Sequence, residues 1–283
     1  MVDRRSPTAE GRGRPFRFGV SLPGIQSRAA LAAAAARFEA LGFDVLLIRD
    51  HLDTAAPLPL LVAAAEATTL RLGTYVLNAG FYKPALLARD AGTVNQLTDG
   101  RLELGLGAGY VREEFEAAEL PFPGAASRIR HLEHISSHLR RERPSVPILI
   151  AGSDEKVLGV AARQADIIGL TGTPGGTRGA DPLAQRIALV RRVAGDRFGA
   201  LELNLSITAA RTGKSGVPDL SMVRRFAPGL SDRELLQLPG VVSGSAHEIA
   251  DTLRGYRETY GVSYLSVPGA VAEAFAKVIS ALR

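Results

Sequence analysis

Residues 99–110 read DGRLELGLGAGY, which is the pattern of a strand with one bulky face and one nearly bare face. Leucine or alanine stands at positions 102, 104, 106 and 108, and glycine stands at 105, 107 and 109. Because side chains alternate along a strand, one face can pack on helices while the other exposes backbone. Glycines inside a strand usually mark the close approach of a ligand or of another backbone segment. The stretch therefore predicts a barrel strand beside a flat ligand, with a tight barrel corner without a ligand as the alternative.

On both sides of this stretch, short apolar segments alternate with segments of helix length. The alternation is typical of βα units, and eight units predict a closed (β/α)8 TIM barrel over residues 16–283 with its active site at the C-terminal ends of the strands. Ser27 and Asp181 stand where helix N-caps are expected, and Gly42 and Gly195 where helices should end. The predicted strands are 16–22, 45–49, 72–77, 102–106, 148–151, 167–170, 203–208 and 264–267. The predicted helices are 28–41, 58–68, 85–97, 127–141, 155–165, 182–194, 247–260 and 273–282.

The composition is that of a globular protein without thiol chemistry. Of 283 residues, 46% are hydrophobic and 22% are charged, and there is no cysteine, which excludes disulfides, thiolate catalysis and cysteine–zinc sites. The formal net charge is +5, but the basic residues are scattered and no nucleic-acid-binding motif accompanies them. We therefore expect no nucleic-acid partner.

Two segments depart from the alternation of strands and helices. Residues 1–15 are polar and lack the apolar core of a signal peptide, so they are predicted to form a disordered tail. No apolar run reaches the roughly 18 residues of a membrane span, and a cytoplasmic protein without membrane contact is expected.

Residues 211–240 are predicted to be an insertion, which lies either over the barrel mouth or on the surface as a mobile excursion.

The ends of the second and third strands carry polar side chains suited to chemistry. Asp50 and His51 are consecutive, and an imidazole can exchange a proton near neutral pH while the carboxylate fixes its tautomer or holds a ligand donor. Asn78 offers an amide donor and acceptor to the imide-like edge of a ring ligand. Alternatively, Asn78 serves the turn that precedes Gly80.

The ends of the fifth and sixth strands are candidates for phosphate binding. Gly152 and Ser153 lead directly into a helix, whose N-terminus can receive a phosphate. Helix capping by Ser153 or Asp154 explains the same residues equally well. Thr171 and Gly172 add a hydroxyl and another glycine at the same rim.

Three histidines, His131, His134 and His138, fall on one helical face that Glu142 continues. A metal site is conceivable there. A solvated polar face is the favoured interpretation, because no metal-binding motif accompanies these residues, and no metal is predicted.

Six segments together resemble the bacterial luciferase-like monooxygenase family, and more particularly its branch that uses the deazaflavin coenzyme F-420. Their order and spacing along most of the chain carry the resemblance. They are FRFGVSLP (16–23), LGFDVLLIRDHL (41–52), RLGTYVLN (71–78), KPALLARDAGTVNQLTDGRLELGLGAGYVREEF (83–115), VPILIAGSDEKVLGVAARQADIIGL (146–170) and SGSAHEIADTLRGYRETYGVSYLSV (243–267).

The resemblance implies the barrel fold and redox chemistry on a flavin-like ring in the barrel mouth. The implied reaction is hydride transfer between coenzyme F-420 and a small organic substrate. The ring is expected to stack on a bulge of the third strand that contains a non-prolyl cis peptide between Tyr75 and Val76. FMN in place of the deazaflavin is one alternative, and a non-catalytic ligand-binding barrel is another. A homodimer is compatible with this interpretation.

The resemblance also implies roles for individual residues. His51 matches a position that handles protons or orients substrate, and Tyr110 and Glu114, in the loop after the fourth strand, are the next catalytic candidates. The implied ring contacts are Asp50, Tyr75, Val76, Asn78, Gly107 and Tyr110. The implied phosphate neighbourhood is Gly152, Ser153, Thr171 and Gly172.

The chain departs from the family pattern at two places. Asp154 replaces a small residue, and its charge opposes a phosphate. The connection between Arg141 and Pro147 is also short, because a helix continuation and a loop are missing before the fifth strand.

Overall fold

The computed structural model describes residues 13–22, 24–25, 27–173, 181–213 and 217–283, so most of the predicted tail lies outside the described residues. The strands are β1 (Arg17–Ser21), β2 (Val45–Ile48), β3 (Arg71–Thr74), β4 (Leu77–Asn78), β5 (Leu102–Gly107), β6 (Ile148–Gly152), β7 (Ile167–Thr171), β8 (Glu202–Ser206), β9 (Ala209–Thr212), β10 (Val241–Gly244) and β11 (Val262–Pro268). The α-helices are α1 (Arg28–Ala40), α2 (Pro57–Ala65), α3 (Pro84–Leu97), α4 (Arg112–Ala117), α5 (Ala125–Glu142), α6 (Glu155–Gln164), α7 (Pro182–Ala194), α8 (Ser221–Phe226), α9 (Asp232–Leu235), α10 (Ala246–Tyr260) and α11 (Ala272–Leu282).

The larger sheet is parallel and closes on itself. Neighbouring strands pair in the order β3-β2-β1-β11-β8-β7-β6-β5-β4, and β3 also pairs with β5. Since β3 and β4 both pair with β5, they are two parts of one interrupted strand. The predicted TIM barrel of eight strands is therefore confirmed, with its third strand broken where the sequence pattern suggested a continuous one.

The ends of several helices follow from local sequence. The side chains of Ser27 and Asp181 accept hydrogen bonds from backbone N–H groups three residues further on, which confirms both predicted N-caps. Gly42 and Gly195 follow α1 and α7 with φ of 88° and 55°, a backbone region that favours glycine. Helix α4 was not predicted, because six residues are too few to show a helical period. None of the helices in the described part of the chain is both long and apolar enough to cross a membrane.

The strands separate an outer apolar layer from the inside of the barrel. Outward side chains such as Leu104 and Leu106 of β5 are fully buried against the helices. The inward apolar cluster consists of Val45, Leu47, Leu149, Ile167 and Tyr264. Nearer the C-terminal ends, the inward positions hold the small or polar residues Ala151, Thr171, Ser206 and Ser266. The inward side chains at the C-terminal mouth are therefore smaller and more polar than those of the apolar floor beneath them.

A buried charge network closes the opposite, N-terminal end of the barrel. The guanidinium of Arg17 donates to the carboxylates of both Glu103 and Glu202, reaching Glu202 Oε2 at 2.6 Å. Arg71 Nε donates to Glu103 Oε1 at 2.5 Å, and the guanidinium of Arg17 lies 4.7 Å from the centre of the Tyr264 ring. Burial raises the pKa of Glu202, and the charge of Arg17 acts in the opposite direction. The arginine thus favours the ionised form of a carboxylate that burial would otherwise tend to protonate.

The predicted insertion, 211–240, forms a small unit on the C-terminal side of β8. Strands β9 and β10 pair as a separate two-stranded parallel sheet. Gly240 lies against Gly172 of the barrel rim, and Gly240 N donates to Gly172 O at 3.3 Å. The apolar cluster of this unit consists of Ala209, Leu220, Val223, Ala227, Leu235, Leu238 and Val241. These elements are only four to six residues long, too short to be recognised from periodicity.

Candidate active site at the barrel mouth

Residues 74–76, which lie at the break between β3 and β4, pack against the glycine-bearing face of β5. Thr74 Oγ1 donates to Gly105 O and accepts from Gly105 N, both at 2.8 Å. A Cβ on Gly105 would lie 2.0 Å from Thr74 O, and one on Gly107 would lie 2.8 Å from Val76 Cγ2. The prediction that these glycines leave room for a flat ligand is thereby corrected, since another chain segment occupies the space. The predicted bulge and the cis peptide between Tyr75 and Val76 are confirmed.

Substitution of Gly105 by alanine tests this packing. The new Cβ would meet a backbone carbonyl oxygen, so we expect a loss of about 1–3 kcal/mol in the free energy of unfolding, measured with urea. Gly255→Ala is the control, because a Cβ there meets nothing within 4 Å. In the interior of α10 this control should be neutral or stabilising. Equal stabilities of the two variants would contradict the packing argument.

Tyr75 holds the interrupted strand from inside the barrel. Tyr75 Oη donates to Asn204 Oδ1 at 2.9 Å and accepts from Ser266 Oγ at 2.6 Å. Burial raises the pKa of Tyr75, and the hydroxyl is directed into the barrel. No sequence pattern predicted a role for Asn204, Ser266 or Thr74. A signal was present, because Asn204 stands at an inward position between two buried leucines of β8.

Asp50, His51 and Glu114 come together at the mouth. Helix α4 carries Glu114, whose Oε1 lies 2.8 Å from His51 Nδ1. The side chain of His51 is 33% exposed, so a ligand can reach it. Burial raises the pKa of Asp50, against the effect of hydrogen bonds to its Oδ2 from Asn78 N at 3.0 Å and Tyr82 Oη at 3.4 Å. An imidazole beside two carboxylates can take up or release a proton at this place.

Asn78 connects this cluster to the following turn. Its Oδ1 accepts from Gly80 N at 3.0 Å and so caps the short helix Ala79–Phe81, as the turn interpretation predicted. A Cβ on Gly109, whose φ is 74°, would lie 2.1 Å from Asn78 Oδ1. Contact with a ring therefore stays a prediction and would use the Nδ2 atom. Tyr110 follows Gly109 and is 67% exposed.

Helix α6 begins directly after β6, and its N-terminus is capped by a side chain, as the second of the two interpretations predicted. Asp154 Oδ1 accepts from Lys156 N at 2.8 Å and is the N-cap of α6. A Cβ on Gly152 would lie 2.6 Å from Val157 Cγ1, so the glycine accommodates its own helix. Ser153 lies half-buried beside the cap. A negative side chain therefore occupies the helix end where a phosphate was predicted.

At the end of β7, the predicted phosphate residues contact the protein itself. The guanidinium of Arg186 donates to Thr171 O at 2.8 Å and to Thr171 Oγ1 at 3.2 Å. A Cβ on Gly172 would lie 2.3 Å from the Cα of Gly240, so the insertion covers this glycine. A role of Thr171 and Gly172 toward a phosphate stays a prediction.

The histidines of α5 form local contacts. His131 Nε2 lies 3.1 Å from the carbonyl oxygen of Tyr82, and His138 Nδ1 accepts from Arg141 at 2.9 Å. Across the described ranges, no group of histidine and carboxylate side chains could hold a metal ion.

The family model described as luciferase-like monooxygenase matches residues 14–213, which is more than half of the chain. Among curated relatives, the F-420-dependent glucose-6-phosphate dehydrogenase of Intrasporangium calvum is 27% identical, with 78% of this chain and 83% of that protein covered.

Two solved structures have a similar fold at low sequence identity. An F-420-dependent secondary alcohol dehydrogenase, in complex with an adduct of F-420 and acetone, superposes with a TM-score of 0.74 at 18% identity, covering 95% of this chain and 100% of that one. The oxygenating constituent of 3,6-diketocamphane monooxygenase from Pseudomonas putida, in complex with FMN, gives a TM-score of 0.68 at 16% identity, covering 95% and 96%. At these identities the likeness concerns the fold alone. Together with the family match, these observations show that the chain belongs to the luciferase-like monooxygenase family of oxidoreductases, which has F-420-dependent and flavin-dependent members.

Proposed function

We propose that this protein transfers a hydride between coenzyme F-420 and a small organic substrate bound at the barrel mouth. The observation that carries the proposal is the contact of His51 with Glu114, beside Asp50, at the C-terminal end of β2. In a barrel of this kind, reactive groups lie at that end of the strands. The similarity to an F-420-dependent dehydrogenase along most of the chain supports the choice of cofactor.

The mouth fits a planar ring better than it fits the phosphate of the cofactor. In this proposal the backbone of residues 74–76 supports one face of the ring. Hydrogen bonds from the side chains of Thr74 and Tyr75 hold this backbone segment in place. In the same proposal, Asp50 and the Nδ2 atom of Asn78, which lie next to each other, hold the polar edge of the ring. At the other end, Asp154 caps the helix that a phosphate would use. We therefore expect the phosphate at another part of the rim.

When bound, coenzyme F-420 supplies a ring that accepts or donates a hydride. Hydride transfer to or from a carbonyl–alcohol pair leaves one proton to be delivered or removed. His51 is the group for this proton, because an imidazole can both donate and accept a proton and its ring is partly exposed at the mouth. Glu114 orients the imidazole through Nδ1, which leaves Nε2 for the substrate.

Equilibrium dialysis of the purified protein against F-420 and against FMN tests the choice of cofactor. We expect tighter binding of F-420. Equal or tighter binding of FMN would contradict the F-420 assignment and favour a flavin-dependent oxidoreductase, for which the likeness to an FMN complex is the supporting observation. Absence of binding for both would favour a non-catalytic barrel, in line with Asp154 at the start of α6.

A further inference from the structure

The segment between β5 and α5 carries Glu114, the residue that contacts His51. It contains α4, which has only six residues, and a helix of this length is not stable by itself in water. The position of Glu114 therefore depends on contacts between this segment and the rest of the protein. One group of such contacts is aromatic, and another is made by an arginine of α5.

The aromatic contacts hold α4 through the residue that follows Glu114. Phe115 is 1% exposed, and the centre of its ring lies 5.3 Å from that of Phe81 and 5.1 Å from that of Phe122. A Cβ on Gly80 would lie 2.5 Å from the Phe115 ring, so this ring packs directly on the turn after β4. The aromatic cluster thereby attaches α4 to that turn.

Arg128 of α5 binds both ends of the same segment. Its Nε donates to Gly109 O at 2.9 Å, and its guanidinium also donates to Pro123 O. The guanidinium lies 4.1 Å from the centre of the Phe122 ring, which is within the range of a cation–π interaction. One planar cation thus joins two backbone carbonyls and an aromatic ring. A lysine ammonium is a poor substitute, because it lacks the planar fork of donors.

Gly109, whose carbonyl Arg128 binds, also contacts the site. A Cβ on Gly109 would lie 2.1 Å from Asn78 Oδ1, so the backbone there packs against the Asn78 side chain. The hydrogen bond from Arg128 fixes the carbonyl of the same residue. A shift of this carbonyl would therefore change both the surroundings of Asn78 and the start of the segment that carries Glu114.

We propose that Arg128 is a positioning residue, which binds both ends of segment 109–123 and so holds Glu114 against the Nδ1 atom of His51. The inference rests on the proposed function, because the orientation of this imidazole matters for the transfer of a substrate proton. Arg128 acts through the backbone of the segment. Hydrogen bonds from a charged donor are stronger than those between neutral groups, so their loss should let the segment leave this position more often.

Histidine NMR of the cofactor-free protein tests this role. The protein has five histidines, so isotopic labelling of this residue type gives few signals, and His51→Ala identifies the signal of His51. In the unsubstituted protein, the hydrogen bond to Glu114 should protect the Nδ1 proton of His51 from exchange with water. In Arg128→Met this exchange, measured by saturation transfer from water, should be about 10-fold faster or more.

Two variants and one internal reference serve as controls. Arg130→Met removes an exposed arginine from the same helix and should leave the exchange unchanged. Arg128→Lys keeps the charge but lacks the fork of donors, so the exchange should again be faster than in the unsubstituted protein. The Nε2 atom of His131, which lies on α5 at 3.1 Å from Tyr82 O, is the reference. Its proton should keep its signal in every variant, because α5 stays in place.

Unchanged protection of the His51 proton in Arg128→Met would overturn the inference. Equally faster exchange in Arg128→Met and Arg130→Met would also overturn it, because surface charge would then be the cause. Equal increases for His51 and His131 would assign Arg128 to the stability of α5 and not to the position of Glu114. Complete protection in Arg128→Lys would contradict the need for both carbonyl contacts. The measurement uses no cofactor, so failure of the proposed redox function would show separately in the dialysis experiment.

Discussion

Replacing His51 by alanine should lower turnover by roughly 10²-fold or more, with cofactor affinity kept within a few-fold. The reason is that the variant loses the group that handles the substrate proton while the bulge that supports the ring is unchanged. Steady-state kinetics with a substrate of the enzyme and equilibrium dialysis of the cofactor check the two parts of this expectation. The fold should persist, because one third of the side chain is exposed and little packing is lost.

The control for this variant is His134→Ala, which removes an exposed imidazole from α5, outside the site. It should keep both turnover and stability. Glu114→Gln should reduce turnover less than His51→Ala does, because the amide can still hydrogen-bond to Nδ1 but carries no charge to stabilise an imidazolium. A large loss of thermal stability in His51→Ala would identify a structural histidine. Full turnover in a folded His51→Ala protein would refute the proton-transfer role.

Replacing Arg17 by methionine should lower the free energy of unfolding by about 3 kcal/mol or more. Methionine fills much of the volume but leaves Glu103 and Glu202, which are 3% and 7% exposed, without the cation that lies between them. Urea unfolding at neutral pH measures the loss. Arg37→Met is the matched control, since its pair with Glu273 is more than half exposed on both sides, and it should cost at most about 1 kcal/mol.

The loss in Arg17→Met should depend on pH in a definite direction. Burial already raises the pKa of Glu202, and removal of the arginine raises it further. A carboxyl with a raised folded-state pKa contributes stability below its ordinary pKa and loses that contribution as pH rises through the folded-state value. The difference from the unsubstituted protein should therefore be smaller at about pH 5 than at about pH 7.5. Equal losses for Arg17→Met and Arg37→Met would contradict the importance of the network.

Most of the barrel could be predicted from the sequence. The eight predicted strands all correspond to strands of the closed sheet, because a short apolar run between helix-length segments is a local property of the sequence. The caps at Ser27 and Asp181 were predictable for the same reason, since a cap depends on neighbouring residues alone. The short elements β9, β10, α8 and α9 could not be predicted, because four to six residues carry too little periodic signal.

The candidate site was only partly predictable. Asp50 and His51 were found because a position at the end of a barrel strand is a strong indication of chemistry. The glycines of β5 were recognised as unusual, but their reason lies in Thr74, which approaches Gly105 from another strand. Asn204 and Ser266, which hold Tyr75, gave only the weak signal of polar residues at inward positions.

The order of apolar segments and the short motifs in the sequence thus specify which segments become strands. They also indicate at which strand ends the reactive side chains lie. Closure of the barrel then selects which distant residues touch: His51 with Glu114, and Tyr75 with Asn204. The physical reason is the range of the interactions concerned. Side-chain alternation and capping act over a few residues, whereas these contacts depend on strand register and on the packing of loops that are remote in sequence.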